Sequence, residues 1–251
     1  MGQKRRLLFG GISLAVILGA SVGLLTFAGA ACLPGGGFPD SKTPEPAASL
    51  PQSSQQRPNN AELYVEPSDP LVRDTAVSAV QACPVDMEAN SEVWKIWQIN
   101  RWVADNISYV SDPRGHNYFA YAHETLNTGG GDCDDFAILL ASLYESVGLD
   151  AAIASIDTDD DWKTDHMTCL VYYSGDGDSF IEEEKAILDM VGMSDDVRII
   201  CFDPANSRLL PAKYTGGIWI VADPTMAIVK EKVGYVAHKP YQAILVIDVG
   251  S

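Results

Sequence analysis

The sequence predicts an α+β domain with a largely antiparallel sheet. Segments with helical periodicity fall between residues 69 and 147, whereas short runs rich in Ile and Val, bounded by Gly, Asp or Pro, follow from residue 151 onward. Helices first and strands later is the order of an α+β fold, and it differs from the strict alternation of parallel α/β folds. With 251 residues, of which 47% are hydrophobic, the chain can bury one substantial core.

Residues 1–31 predict a targeting segment rather than part of the fold. Three basic residues at positions 4–6 precede an uncharged stretch over residues 7–31. That stretch is long enough to span a bilayer as a transmembrane helix, and its basic flank predicts a cytoplasmic N-terminus. Three alternatives stay open: a retained membrane anchor, a cleaved signal, and a lipidated Cys32. Each of them places the body outside the cytoplasm, either anchored to the membrane or secreted.

Residues 32–62 predict a disordered linker, because Pro alternates there with Gly, Ser, Gln and Asn and the stretch can bury little surface. The folded domain is therefore predicted over residues 63–251. The net charge of the chain is -17, and so acidic a protein repels phosphate backbones. Nucleic acid is therefore excluded as a partner.

No pattern in the sequence indicates a cofactor or a metal. The acidic run over residues 157–161 could offer oxygen ligands to calcium, but it lacks the spacing and the glycine of an EF-hand loop. A solvated loop is the favoured interpretation of this run. We therefore predict neither a cofactor nor a metal.

Four helices and five strands follow from the periodicity. The helices are predicted over residues 69–82, 91–107, 133–147 and 180–191, and Gly148 and Gly192 are the stop signals of the last two. The strands are predicted over residues 151–156, 166–173, 197–202, 217–222 and 242–249.

A glycine-rich turn, Gly-Gly-Gly-Asp-Cys-Asp-Asp, enters the third helix at Cys133. Asp132 is a predicted N-cap, with Asp135 three residues on as in a capping box. The positive end of the helix dipole favours the thiolate, which is the nucleophilic form, and the unpaired N–H groups of the first turn can stabilise an oxyanion. Cys133 is therefore the predicted nucleophile. The neighbouring carboxylates oppose a thiolate, so a positively charged partner is required.

His166 is the predicted base, because it opens a strand after a polar loop and could be held over the helix N-terminus. A third group must orient its imidazole. Asp223, at the end of the strand in WIVADPT, is the first candidate for that role, and Asp203, in a second strand-end Asp-Pro, is the alternative. Asn127 is the candidate side-chain donor to an oxyanion.

The block GDCDDFAILLASLYESVGL resembles the nucleophile helix of the transglutaminase-like superfamily. That superfamily includes animal transglutaminases, peptide N-glycanases and prokaryotic transglutaminase-like cysteine peptidases, and the runs ETLNTGG and WVADNISY are similar to the prokaryotic branch. The resemblance covers about residues 90–225. It implies a papain-like core in which the nucleophile helix packs on an antiparallel sheet, and a Cys133–His166–Asp223 triad. The interval from His166 to Asp223 is longer than the family pattern.

The predicted function is an extracytoplasmic thiol hydrolase that acts on peptide or side-chain amide bonds of a protein or peptide substrate through a thioester intermediate. Two alternatives stay open. A protein-crosslinking acyltransferase would use the same thioester but pass the acyl group to an amine instead of water. A non-catalytic surface binding module would keep only the fold, although the intact Cys, His and Asp argue against it.

Overall fold

The fold is built on a five-stranded sheet, and helices pack on one face of that sheet. The computed structural model describes residues 58–84, 88, 90–113, 118–193, 197–202, 210–211, 213–214, 216–236 and 241–250. Within these residues the α-helices are α1 (Pro70–Gln81), α2 (Glu92–Asn106), α3 (Ala122–Thr128), α4 (Cys133–Ser146) and α5 (Gly177–Met190), and a 3₁₀ helix spans Pro58–Tyr64. The strands are β1 (Ser108–Tyr109), β2 (Gly130–Gly131), β3 (Ala151–Asp157), β4 (His166–Tyr173), β5 (Cys201–Phe202), β6 (Ile218–Ala222) and β7 (Gln242–Asp248).

The strand order in the large sheet is β5-β6-β4-β3-β7, and every neighbouring pair is antiparallel. Cys169 of β4 lies opposite Ala222 of β6, so the start of β4 meets the end of β6. The register between β3 and β7 shifts at Ser155 and Ile156, which marks a bulge or other irregularity next to that same end of the sheet. Strands β1 and β2 form a separate parallel pair just before α4.

The main core lies between the helices and one face of the sheet. Alternate residues of β4 enter this core, including the fully buried Cys169 and Val171, and they meet apolar residues of α4 such as Leu139 and Leu140. The other face of the sheet buries a smaller cluster around Trp219. Helix α4 therefore rests on the sheet along most of its length, which fixes the position of its N-terminus.

The predicted helices and strands are largely present, and each difference has a local cause. Helix α1 begins after Asp69, whose carboxylate accepts the N–H groups of Leu71 and Val72 at 2.8 and 3.1 Å. Helix α5 begins at Gly177 rather than near residue 180, because Asp176 caps it. Of the predicted strand over residues 197–202, only Cys201–Phe202 is a strand, and it pairs with β6.

The predicted targeting segment over residues 1–31 and most of the predicted linker lie outside the described residues. None of the helices in the described part of the chain is long and apolar enough to cross a membrane. The 3₁₀ helix Pro58–Tyr64 includes the last residues of the predicted linker, and Ala61 within it is fully buried. The described structure therefore includes residues 58–62 of the predicted linker.

Candidate active site

Cys133 is the first residue of α4, and a capping interaction fixes the turn that presents it. The N–H of Asp132 donates to Oδ2 of Asp135 at 3.2 Å, and the N–H of Phe136 donates to the carbonyl of Asp132 at 3.0 Å. Oδ1 of Asp135 accepts the N–H of Ala120 at 2.8 Å. The half of the predicted capping box that Asp135 supplies is therefore formed, and Asp135 also ties the turn to the segment that precedes α3.

Gly131 permits this turn because no larger residue fits there. A Cβ atom at position 131 would lie 2.5 Å from both Cβ and Oδ2 of Asp135. The close approach of the Gly131 backbone to the Asp135 side chain thus depends on glycine.

The imidazole of His166 lies between Cys133 and Asp223. Nε2 of His166 is 2.7 Å from Oδ2 of Asp223, and His166 is also hydrogen-bonded to the Cys133 side chain, which leaves Nδ1 to face the thiol. The His166 and Asp223 side chains are 8% and 2% exposed. The structure therefore brings together all three predicted site residues, in the order Cys133, His166, Asp223.

Asp223 is held by donors on both of its oxygens. Oδ1 accepts the N–H and the hydroxyl of Thr225 at 3.1 and 2.7 Å and the N–H of Met226 at 3.1 Å. Oδ2 accepts the hydroxyl of Tyr241 at 2.8 Å in addition to the bond with His166. The carboxylate therefore has no freedom to rotate away from the imidazole.

Burial and hydrogen bonding act in opposite directions on this pair. Burial lowers the pKa of His166, but the hydrogen bonds to Asp223 and then to Cys133 outweigh it and raise that pKa to about 10. Burial opposes ionisation of Asp223, yet the bonds from His166, Thr225 and Tyr241 lower its pKa below the ordinary value. Both shifts favour an imidazolium beside a carboxylate. The imidazolium is the positively charged partner that a thiolate at Cys133 requires.

The carboxyl groups around Cys133 carry less charge than the sequence suggests. Burial, together with a hydrogen bond to Asp132, raises the pKa of Asp134 to about 10, so the Asp132–Asp134 pair holds a proton at neutral pH. Burial also raises the pKa of Asp135 to about 6, against the effect of its backbone hydrogen bonds. The electrostatic opposition to a Cys133 thiolate is correspondingly reduced.

Cys133 and His166 open into a cavity of about 220 Å³. Its other lining residues are Phe119, Asp134, Ser155, Thr164, Asp165 and Met167. Asn127, the candidate oxyanion donor, lines a different cavity of about 660 Å³. That assignment of Asn127 is therefore wrong, because α3 carries its side chain to the neighbouring cavity. The N–H groups at the start of α4 are the better candidates for an oxyanion site.

Two groups of carboxylates have oxygens within 4.8 Å of one another, close enough to share a cation: Asp132, Asp134 and Asp135, and Asp157, Asp159 and Asp161. In the second group, the carboxylate of Asp157 already accepts the N–H groups of Asp159, Asp160 and Trp162. This is the hydrogen bonding of a turn in a polar loop. We assign no metal to either group.

Asp203, the alternative third member of the triad, lies outside the described residues. The residue that sequence analysis missed is Tyr241. It follows no motif, and it reaches Asp223 only because β7 returns to the sheet beside β3. No local pattern in the sequence signals this contact.

This arrangement is that of a papain-like core. The cysteine starts a helix, the helix packs on an antiparallel sheet, and the histidine and aspartate lie at strand ends of that sheet. The family model of the transglutaminase-like superfamily matches residues 82–224, and the chain belongs to that superfamily. Tyr241 lies beyond the matched residues.

One solved structure with similarity to the chain is that of a candidate cysteine protease from Cytophaga hutchinsonii. The sequences are 19% identical, the TM-score is 0.34, and the alignment covers 72% of this chain and 52% of that chain. This chain thus spans about half the length of that protein. No curated protein matches the chain significantly.

Proposed function

We propose that the protein is a thiol hydrolase that cleaves peptide or side-chain amide bonds through a thioester on Cys133. The observation that carries the proposal is the imidazole of His166, hydrogen-bonded on one side to the Cys133 thiol and on the other to Asp223 at 2.7 Å. Membership of the transglutaminase-like superfamily, which contains thiol enzymes, supports the same reaction class.

The reaction begins with attack of the Cys133 sulfur on the carbonyl carbon of the amide. The thiol proton passes to His166, and Asp223 stabilises the imidazolium. Backbone N–H groups in the first turn of α4 stabilise the oxyanion. The C–N bond then breaks, and His166 returns its proton to the departing amine.

The second half of the reaction releases the acyl group. His166 takes a proton from water while the water oxygen attacks the thioester carbonyl. The C–S bond then breaks, and His166 returns its proton to the departing sulfur, which leaves a carboxylic acid and the Cys133 thiol. If an amine replaces water in this step, the product is an amide and the enzyme is an acyltransferase.

We further propose that the body works outside the cytoplasm on protein or peptide substrates, tethered to the membrane or released from it. The support for this location is the basic start and the uncharged stretch over residues 7–31.

Mass spectrometry of a peptide library after incubation with the full chain tests the proposed reaction, with and without an added primary amine. Cys133→Ala removes the nucleophile, and Cys169→Ala, which changes a buried thiol in β4, is the matched control. Water-derived products with wild type and the control alone support hydrolysis. Amine adducts instead of those products would reassign the protein as an acyltransferase. If neither product forms and Cys133 carries no acyl group, the remaining interpretation is a non-catalytic binding module.

A further inference from the structure

Tyr241 is a half-buried tyrosine that hydrogen-bonds to the predicted triad, and it lies beyond the residues that the family model matches. Its hydroxyl donates to Oδ2 of Asp223 at 2.8 Å, and that same oxygen lies 2.7 Å from Nε2 of His166. The Tyr241 ring packs edge-on against the His166 ring, with centroids 6.3 Å apart and an interplanar angle of 66°. Two donors therefore compete for one carboxylate oxygen.

Tyr241 is one of several donors that orient Asp223. Thr225 and Met226 already place three donors on Oδ1, and His166 binds Oδ2. The distinctive effect of the Tyr241 hydroxyl is to share the negative charge of Oδ2, which weakens the hold of Asp223 on the imidazolium. Burial and the charge of Asp223 raise the pKa of Tyr241 well above its ordinary value, so the hydroxyl keeps its proton and stays a donor.

We propose that Tyr241 is a positioning residue that tunes the basicity of His166 by dividing the charge of Asp223 between two donors. The inference rests on the proposed function, in which His166 must both accept and return a proton. An imidazole bound too strongly by Asp223 would return its proton slowly to the departing amine. Strand β7, which follows Tyr241 directly, therefore belongs to the part of the chain that the activity requires.

The other ionisable groups near His166 are Cys133 on α4, and Asp134 and Asp165, which line the same cavity. Both carboxyl groups are the same in every variant of the test, so a difference between variants does not come from them. Asp165 binds the N–H and the hydroxyl of Thr158. A Cys133→Ala background removes the thiol and brings the titration of His166 into a range in which the fold survives.

The experiment is an NMR titration of the full chain with labelled histidine, which is practical because the chain has only 4 histidines. Tyr241→Phe keeps the ring and removes the hydroxyl. We expect the midpoint of the His166 titration to rise by about one pH unit, because that shift corresponds to a fraction of the energy of a hydrogen bond to a charged group. The NMR signal of the Nε2 proton should move downfield. Tyr172→Phe is the matched control, since its hydroxyl binds the carbonyl of Gly216 near the opposite end of β4.

A second variant covers the case in which Tyr241→Phe does not fold. Fluorotyrosine at position 241 keeps the shape and donates more strongly, so the His166 midpoint should fall. A midpoint that stays constant in either variant, or that moves in the opposite direction, would overturn the inference. The proposed function fails separately, if Cys133 of the wild-type chain forms no thioester.

Discussion

Nε2 of His166 lies 2.7 Å from Oδ2 of Asp223, although the two residues are 57 positions apart in the chain. The antiparallel pairing of β4 with β6 creates this contact, because it places the start of one strand beside the end of the other. Both side chains are buried, so the interaction is poorly screened by solvent.

Asp223→Asn should abolish most of the activity without unfolding the protein. The amide keeps the shape but removes the charge that stabilises the imidazolium, so the pKa of His166 should fall from about 10. By analogy with such changes in other triads, acylation should slow by about 10³- to 10⁴-fold. Release of nitrophenolate from an activated ester measures this rate.

Asp165→Asn is the matched control for that change. Asp165 lines the same cavity, but its carboxylate binds Thr158. The control should stay within a few-fold of wild type. Equal losses in the two variants would remove the special role of Asp223.

Gly131→Ala should destabilise the turn that presents Cys133. The new methyl group would lie 2.5 Å from the Asp135 side chain, so the capping interaction must shift. We expect the free energy of unfolding in urea to fall by about 1–3 kcal/mol. At Gly216 an added Cβ meets no atom within 4 Å, so Gly216→Ala should change it by less than about 0.5 kcal/mol. Similar losses at both positions would contradict the steric account of Gly131.

Glu184 should make the stability of the fold fall as pH rises. Its side chain is fully buried, and Oε1 accepts the N–H of Val233 at 2.7 Å. Burial raises the pKa of Glu184 from 4.5 to about 7, against the effects of Val233 and Lys232. The folded state therefore binds the proton more tightly than the unfolded state, and stability is lost between these two pKa values as pH increases.

Glu184→Gln removes that dependence. Relative to wild type, the variant should gain about 2–3 kcal/mol in free energy of unfolding between pH 5 and pH 8.5, as a shift of that size implies. Urea denaturation at both pH values measures the difference. Glu182→Gln, at an exposed position of α5, should show no such gain. Parallel pH profiles of wild type and Glu184→Gln would contradict the assignment.

The sequence predicted the parts of the fold that depend on local signals. The bounds of β4 follow from alternation, and the start of α4 follows from the capping pair Asp132 and Asp135. Helix α3 was not predicted, because Ala122–Thr128 spans only two turns and carries few apolar residues.

The parts of the site that depend on distant pairing were less accessible. Asp223 could be named in advance because it ends a strand, whereas Tyr241 has no such signal and meets Asp223 through tertiary packing alone. Asn127 was assigned from its proximity in sequence to Cys133, but α3 directs it to another cavity. Closeness in sequence does not predict closeness in space here, because Asn127 and Cys133 belong to different helices.

The most direct test of the proposed thiol chemistry is iodoacetamide labelling of the native chain from about pH 5 to 9, a range that includes the ordinary thiol pKa of about 8.5, read cysteine by cysteine. Cys201, which is exposed, is the internal reference, and the buried Cys169 should stay unlabelled because burial raises its pKa well above the ordinary value. We predict that Cys133 is labelled fastest, that its labelling persists below pH 7, and that His166→Ala removes this low-pH reactivity. Labelling of Cys133 no faster than that of Cys201, with the pH dependence of an ordinary thiol, would contradict the proposed nucleophile.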